Sequence, residues 1–138
     1  MTNILMIDDS ESDLALFSEL IEQADPNYSV YTARNAKEGL DLFQEHHIDC
    51  ALIDFYMPEV NGLRVLDRLQ EMALGRVLPL IIFTGSGGQK IQAEAARRGA
   101  MDYIVKDPGS NTSEQLDAAI RKVIAWAEAL NNNKVRVN

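Results

Sequence analysis

A doubly wound α/β fold, with five parallel strands in the order 2-1-3-4-5 and five helices, is what this sequence predicts. Three observations point there. Four apolar runs, Ile4-Leu5-Met6-Ile7, Ala51-Leu52-Ile53, Leu80-Ile81-Ile82-Phe83 and Ile104-Val105, are continuous, as in strands covered on both faces by helices, and do not alternate. Stretches with helical spacing separate the strands in strict alternation. The chain of 138 residues has the length of one domain with a single substantial core.

The elements follow in order. Ser12 is read as the cap of a first helix, in which Leu14, Phe17, Leu20, Ile21 and Ala24 recur at helical spacing up to Pro26. Tyr28 to Ala33 reads as the second strand. Asn35 stands three residues before Glu38, a capping-box-like start for a helix carrying Leu40 and Phe43. The third strand ends at Asp54. A turn over Met57-Pro58-Glu59-Val60-Asn61-Gly62 leads into a helix with Val65, Leu66, Leu69 and Met72. Pro79 opens the fourth strand, where a missing donor is tolerable. The fourth helix covers about residues 89–98 and stops at Gly99. The fifth strand, Asp102 to Val105, is followed by a loop with Pro108 and Gly109, after which Thr112 and Gln115 read as a second capping box. In the last helix Leu116, Ala119, Ile120, Val123, Ile124, Ala127 and Leu130 form one stripe. Trp126 falls about 80° off its centre and either covers the core's edge or belongs to a partner surface. Residues 1–130 read as the domain, and 131–138, opening with Asn131-Asn132-Asn133, as a disordered tail or linker.

Composition narrows the function classes. The net charge of −8 divides into −10 over residues 1–88 and +2 over residues 89–138, and the pI is near 4.7. Direct nucleic-acid binding draws on Lys and Arg and is not expected here. The mildly basic last third either meets an acidic protein or is a solvated mixed surface. No apolar stretch approaches the roughly 20 residues of a membrane span. The start shows no signal-peptide pattern, and the lone Cys50, read as a small buried hydrophobe, fits a reducing cytoplasm.

The strand ends carry the chemistry. In the order 2-1-3-4-5, strands one and three are neighbours at the switch point where such folds bind ligands, which brings Asp8, Asp9 and Asp54 together. Thr84 and Lys106 end the fourth and fifth strands on the same edge. Three clustered carboxylates repel one another, and hard oxygen donors of this kind suit Mg²⁺, so a divalent-cation site is expected. Lys106 reads also as a plain counterion, Thr84 as a β-branched strand end and Tyr103 as a strand aromatic. Gly85-Ser86-Gly87-Gly88 lacks the lysine and spacing of a nucleotide-binding loop. The adjacent His46 and His47 do not face one ion easily and read as surface residues.

Together these residues resemble the response-regulator receiver domain, a flavodoxin-like module of two-component signalling. The resemblance covers about residues 3–130 and rests on Asp8-Asp9, Asp54 followed by Met57-Pro58 and Gly62, Thr84, Tyr103 and Lys106. It implies that Asp54 takes a phosphoryl group from a phosphohistidine on a sensor histidine kinase or a histidine phosphotransfer protein. It further implies that Asp9, Asp54 and the Tyr56 carbonyl bind Mg²⁺ directly, Asp8 through water, and that Lys106 pairs with a phosphoryl oxygen. Thr84 and Tyr103 are then the switch, altering the face of helix four, strand five and helix five for a downstream protein or a second copy. Such a module catalyses its own phosphotransfer and autodephosphorylation and is not a turnover enzyme. Two departures stand out: Asp107 follows the lysine where many receivers have proline, and Tyr56 and Ser86 occupy positions that influence phosphate lifetime, where a bulky Tyr56 would shield the acyl phosphate. The alternative is a receiver-like docking module that works without phosphorylation. A haloacid-dehalogenase-type phosphatase would carry Asp-x-Asp after its nucleophile strand, and neither Asp8-Asp9-Ser10 nor Asp54-Phe55-Tyr56 does so.

Overall fold

The apolar runs are continuous because alternate residues enter two different cores. The computed structural model describes residues 1–85, 87–107 and 112–137, with the backbone alone from residue 134 on. Strands β1 (Thr2–Ile7), β2 (Tyr28–Ala33), β3 (Cys50–Ile53), β4 (Leu80–Thr84) and β5 (Asp102–Val105) form one parallel sheet in the order β2-β1-β3-β4-β5. Helices α1 (Glu11–Ala24), α2 (Ala36–Glu45), α3 (Gly62–Met72), α4 (Gln89–Arg97) and α5 (Thr112–Val137) complete the expected fold. Ile4, Met6, Leu52, Ile81 and Phe83 pack with Phe17 and Ile21 of α1 and Leu116, Ile120 and Val123 of α5. Leu5, Ile7, Ile53, Leu80 and Ile82 point the other way, onto Leu63, Leu66 and Leu69 of α3 and Ala95 of α4. A strand polar on one face could not occupy the centre of such a sheet.

Register aligns the strand ends. Ile7 pairs with Ala33 on one side and Ile53 on the other, Ile53 with Ile82, and Thr84 with Val105. The residues that follow Ile7, Ile53 and Val105 therefore emerge along one edge. Helix α1 leaves β1 toward one face and α3 leaves β3 toward the other, which opens a crevice between these neighbouring strands.

Local signals are realised with three corrections. Asn35 caps α2, its side chain accepting the Glu38 N–H at 2.8 Å, and the Glu38 carboxylate reaches back to the Arg34 N–H at 2.9 Å. The cap of α1 is Ser10, not Ser12: Ser10 Oγ accepts the Asp13 N–H at 3.2 Å, while the Ser10 N–H is held by Asp8 Oδ1 at 2.9 Å. That second bond turns the chain two residues earlier than expected. Thr112 lies inside the first turn of α5 and donates its hydroxyl to the Asp107 carbonyl, so it is not the cap of a capping box. Pro108 and Gly109 fall outside the described residues. The segment expected to be disordered is helical through Val137, and the Asn131 side chain clasps the backbone of Val77, accepting its N–H at 2.8 Å and donating to its carbonyl at 3.0 Å. Of the expected α5 stripe, Leu130 is exposed. Trp126 is 50% exposed, with Lys122 Nζ 5.2 Å from its ring centre. Cys50 is fully buried, and burial pushes its thiol well above the usual range. His46 stacks on Tyr31 at 4.2 Å while His47 pairs with Asp49 at 3.1 Å, so the two imidazoles are engaged separately.

Candidate functional site

Asp8 follows β1 and Asp54 follows β3, and both are buried, at 2% and 7% exposure; Asp9 is exposed. One carboxylate oxygen from each of Asp8, Asp9 and Asp54 lies within 4.8 Å of the others. The sheet order thus assembles the acidic cluster expected from sequence. Two backbone bonds fix Asp54 and the turn beyond it: its N–H donates to the Ile7 carbonyl at 2.9 Å, and the Gly62 N–H donates to the Phe55 carbonyl at 2.9 Å. A Cβ at Gly62 would lie 2.3 Å from the Asp54 carbonyl oxygen and 2.9 Å from Phe55 Cα, so a glycine is required for α3 to start this close to β3. Asn61 then caps α3, accepting the N–H groups of Leu63 and Arg64 at 3.0 and 3.2 Å.

Lys106 reaches into the cluster from the end of β5. Its Nζ donates to Asp8 Oδ2, to Asp13 Oδ2 at 2.9 Å and to Asp54 Oδ2 at 3.4 Å. Its side chain is only 7% exposed. Burial pulls the ammonium toward deprotonation, but the hydrogen bonds to Asp8 and Asp13 and the charges of Asp8 and Asp54 outweigh it, holding the pKa above that of ordinary lysine. Asp8 is pushed above the usual carboxylate range, chiefly by burial and further by the Asp54 charge, against the pull of Lys106 and the Ser10 N–H. One oxygen, Asp54 Oδ1, is buried with no hydrogen-bond partner among the described residues.

Thr84 is fully buried at the end of β4, and its carbonyl accepts the Lys106 N–H at 2.9 Å. Tyr103 is half-buried with its hydroxyl oxygen wholly enclosed and without a hydrogen-bond partner among the described residues. That oxygen lies against Gly87, where an added Cβ would meet it at 1.7 Å and the Thr84 methyl at 3.6 Å. Burial and the neighbouring Tyr56 raise the Tyr103 pKa. The Tyr56 side chain is 51% exposed and packs edge-on against Phe55, with ring centres 4.7 Å apart. Ser86 lies outside the described residues. The Lys106–Asp107 peptide is trans.

Asp13 was not among the residues the sequence singled out. It stands in the first turn of α1, where an acidic residue is an ordinary complement to the helix dipole, and nothing in its local spacing marks it.

Comparison with known proteins identifies the family. The response regulator receiver domain family model matches residues 4–121, and the chain belongs to that family, whose members are signalling modules of two-component systems. It is 34% identical over 124 residues to the response regulator ArlR of Staphylococcus aureus, a match covering 90% of this chain and 53% of ArlR. The chain therefore spans about half the length of the curated relatives it matches. Among solved structures, a receiver domain protein from Clostridium thermocellum is 30% identical with a TM-score of 0.81, covering 94% of this chain and 99% of that one. A CheY-like receiver domain protein from Methanospirillum hungatei JF-1 is 25% identical with a TM-score of 0.80, covering 94% and 98%. No helix among the described residues is long and apolar enough to cross a membrane.

Proposed function

We propose that this receiver accepts a phosphoryl group from a phosphohistidine onto Asp54. The observation that carries the reading is Asp54 Oδ1: a buried carboxylate oxygen without a hydrogen-bond partner among the described residues, beside one buried ammonium and two further carboxylates. Leaving such an oxygen unpaired in a protein interior is costly, and a group that satisfies it on arrival recovers that cost. In the transfer the carboxylate attacks phosphorus, the P–N bond breaks, and its electron pair passes to the imidazole nitrogen, which takes a proton. The acyl phosphate formed places new negative charge within reach of Lys106, the one cation among the described residues that contacts Asp54. Positioning and charge neutralisation are most of what phosphoryl transfer asks of a protein.

The donor set fits Mg²⁺: three carboxylates offer hard oxygens to one point, and receiver domains generally bind this ion at their acidic site. Asp9, Asp54 and the Tyr56 carbonyl would hold it directly and Asp8 through water. Bound there, the ion supplies positive charge that offsets the crowded carboxylates and the incoming phosphate. Thr84 and Tyr103 are the switch: both line the space at Gly87, so turning the Thr84 hydroxyl toward a phosphoryl oxygen alters the packing around the Tyr103 ring. The altered face joins α4, β5 and α5, where Val105 and Trp126 are each about half exposed and a downstream protein or second copy would dock. A sensor histidine kinase or histidine phosphotransfer protein supplies the phosphoryl group.

Intact mass after incubation with Mg²⁺ and a small acyl phosphate tests the reading. One phosphoryl group is gained by the wild type and none by Asp54→Asn or with chelator. A folded wild type that gains nothing overturns it in favour of a docking module that works without phosphorylation.

A further inference from the structure

The Lys106 ammonium carries three protons, and in this structure all three are spoken for by carboxylates: Asp8, Asp13 and Asp54. A phosphoryl oxygen on Asp54 can recruit Lys106 strongly only if one of these bonds is given up. The three differ in what they can release. Asp8 is 3% exposed in its side chain and would be left as a buried anion without its cation. Asp54 is the residue to be modified. Asp13 is 36% exposed, so water can take over its oxygens, and it sits in the first turn of α1, where the helix dipole favours a free carboxylate. Lys106 is also the only cation paired with Asp13 among the described residues.

We infer that Asp13 is a latch on Lys106: a positioning residue that holds the ammonium in the unphosphorylated protein and yields it to the phosphoryl group, thereby opposing phosphorylation. The latch is built from fixed parts. The Asp13 N–H is capped by Ser10 Oγ at 3.2 Å, and the Ser10 N–H is tied to Asp8 Oδ1 at 2.9 Å, so the first turn of α1 is anchored to the same cluster. Exchange of Lys106 between Asp13 and the phosphoryl group makes the start of α1 a second place, apart from Thr84 and Tyr103, where phosphorylation changes a charge contact. The inference rests on Asp54 being the phosphoacceptor.

The test uses the full chain with Mg²⁺ and a small acyl phosphate. Asp13→Asn keeps the cap and the shape of the side chain and removes its charge; the initial rate of phosphoryl gain by intact mass rises about fivefold, the size of effect expected for a partly exposed ion pair. Asp13→Glu, which restores the carboxylate, returns toward the wild-type rate. Glu11→Gln removes one charge from the same helical turn but from a residue paired with Arg34, and leaves the rate unchanged. A second readout needs no phosphorylation: in ¹H–¹⁵N spectra of the side-chain ammonium groups, the Lys106 signal of the resting protein shifts in Asp13→Asn and stays in Glu11→Gln. An unchanged or lowered rate in Asp13→Asn, an equal acceleration in Glu11→Gln, or an unmoved Lys106 signal overturns the latch. A wild type that never gains the phosphoryl group overturns instead the phosphoacceptor reading beneath it.

Discussion

Two charged clusters sit at opposite ends of the sheet and are built from similar residues. At the C-terminal edge one ammonium faces three carboxylates, a fourth lies beside them, and one buried oxygen has no hydrogen-bond partner among the described residues. At the N-terminal edge the Tyr28 hydroxyl donates to Asp117 at 2.7 Å, and Arg121 bridges Asp117 at 3.0 Å and Asp25 at 2.7 Å. The remaining Asp25 oxygen accepts the Asn27 N–H at 2.8 Å. The second cluster joins α5 to the turn between α1 and β2, and both Asp25 oxygens are engaged in it. Their pKa shifts run oppositely: burial lifts Asp8, whereas the Asn27 N–H and Arg121 hold Asp25 below the usual carboxylate range. Groups that complete one another hold a fold together, and groups left short of partners are where a ligand can change something.

Five substitutions test this contrast. The largest effect belongs to Lys106→Met, which leaves Asp8 and Asp54 as buried anions and lowers the unfolding free energy by about 3 kcal/mol in urea titrations without divalent ions. Arg121→Met, at a side chain 57% exposed, gives a much smaller loss, and equal losses at the two sites would break the comparison. Gly62→Ala forces a methyl group against the backbone of Asp54 and Phe55; it lowers stability by about 2 kcal/mol and slows phosphoryl gain as well. Tyr28→Phe removes one neutral donor and lowers stability by about 1 kcal/mol near neutral pH. Burial and then the bond to Asp117 raise the Tyr28 pKa, so its contribution is complete below the ordinary tyrosine value and is lost as pH climbs beyond about 10. The alkaline limb of the stability curve flattens in this variant. Asp25→Asn is the smallest: a depressed carboxyl pKa stabilises above the unfolded value and loses that effect as pH falls through the folded one, so the variant shows a shallower acid limb below about pH 4.

The C-terminal half of this contrast was legible in the sequence because strand ends are legible, whereas nothing in the sequence marked Asp25, Asp117 and Arg121 as a cluster. Continuous apolar runs give the parallel sheet, its order gives the meeting of Asp8, Asp9 and Asp54, and Lys106 follows from the end of β5. What sequence missed depends on bonds between distant positions or on choices between equal local signals. Ser10 and Ser12 are equally good caps; the Asp8 side chain decides for Ser10. Asp13 meets a lysine 93 residues away, which no periodicity records. The asparagine tract has weak helix propensity, yet the clasp between Asn131 and the Val77 backbone carries α5 through it. The contact of the Tyr103 hydroxyl with Gly87 joins residues 16 positions apart and leaves no local signal either.

Of the four carboxylates at the C-terminal edge, the proposed function makes Asp54 alone the phosphoacceptor. Reduction of the phosphorylated protein with borohydride converts an aspartyl phosphate to homoserine, and peptide mass spectrometry locates it. Phosphorylation at Asp54 gives homoserine at position 54 and aspartate retained at Asp8, Asp9 and Asp13; homoserine at any of those three, with Asp54 unchanged, overturns the assignment.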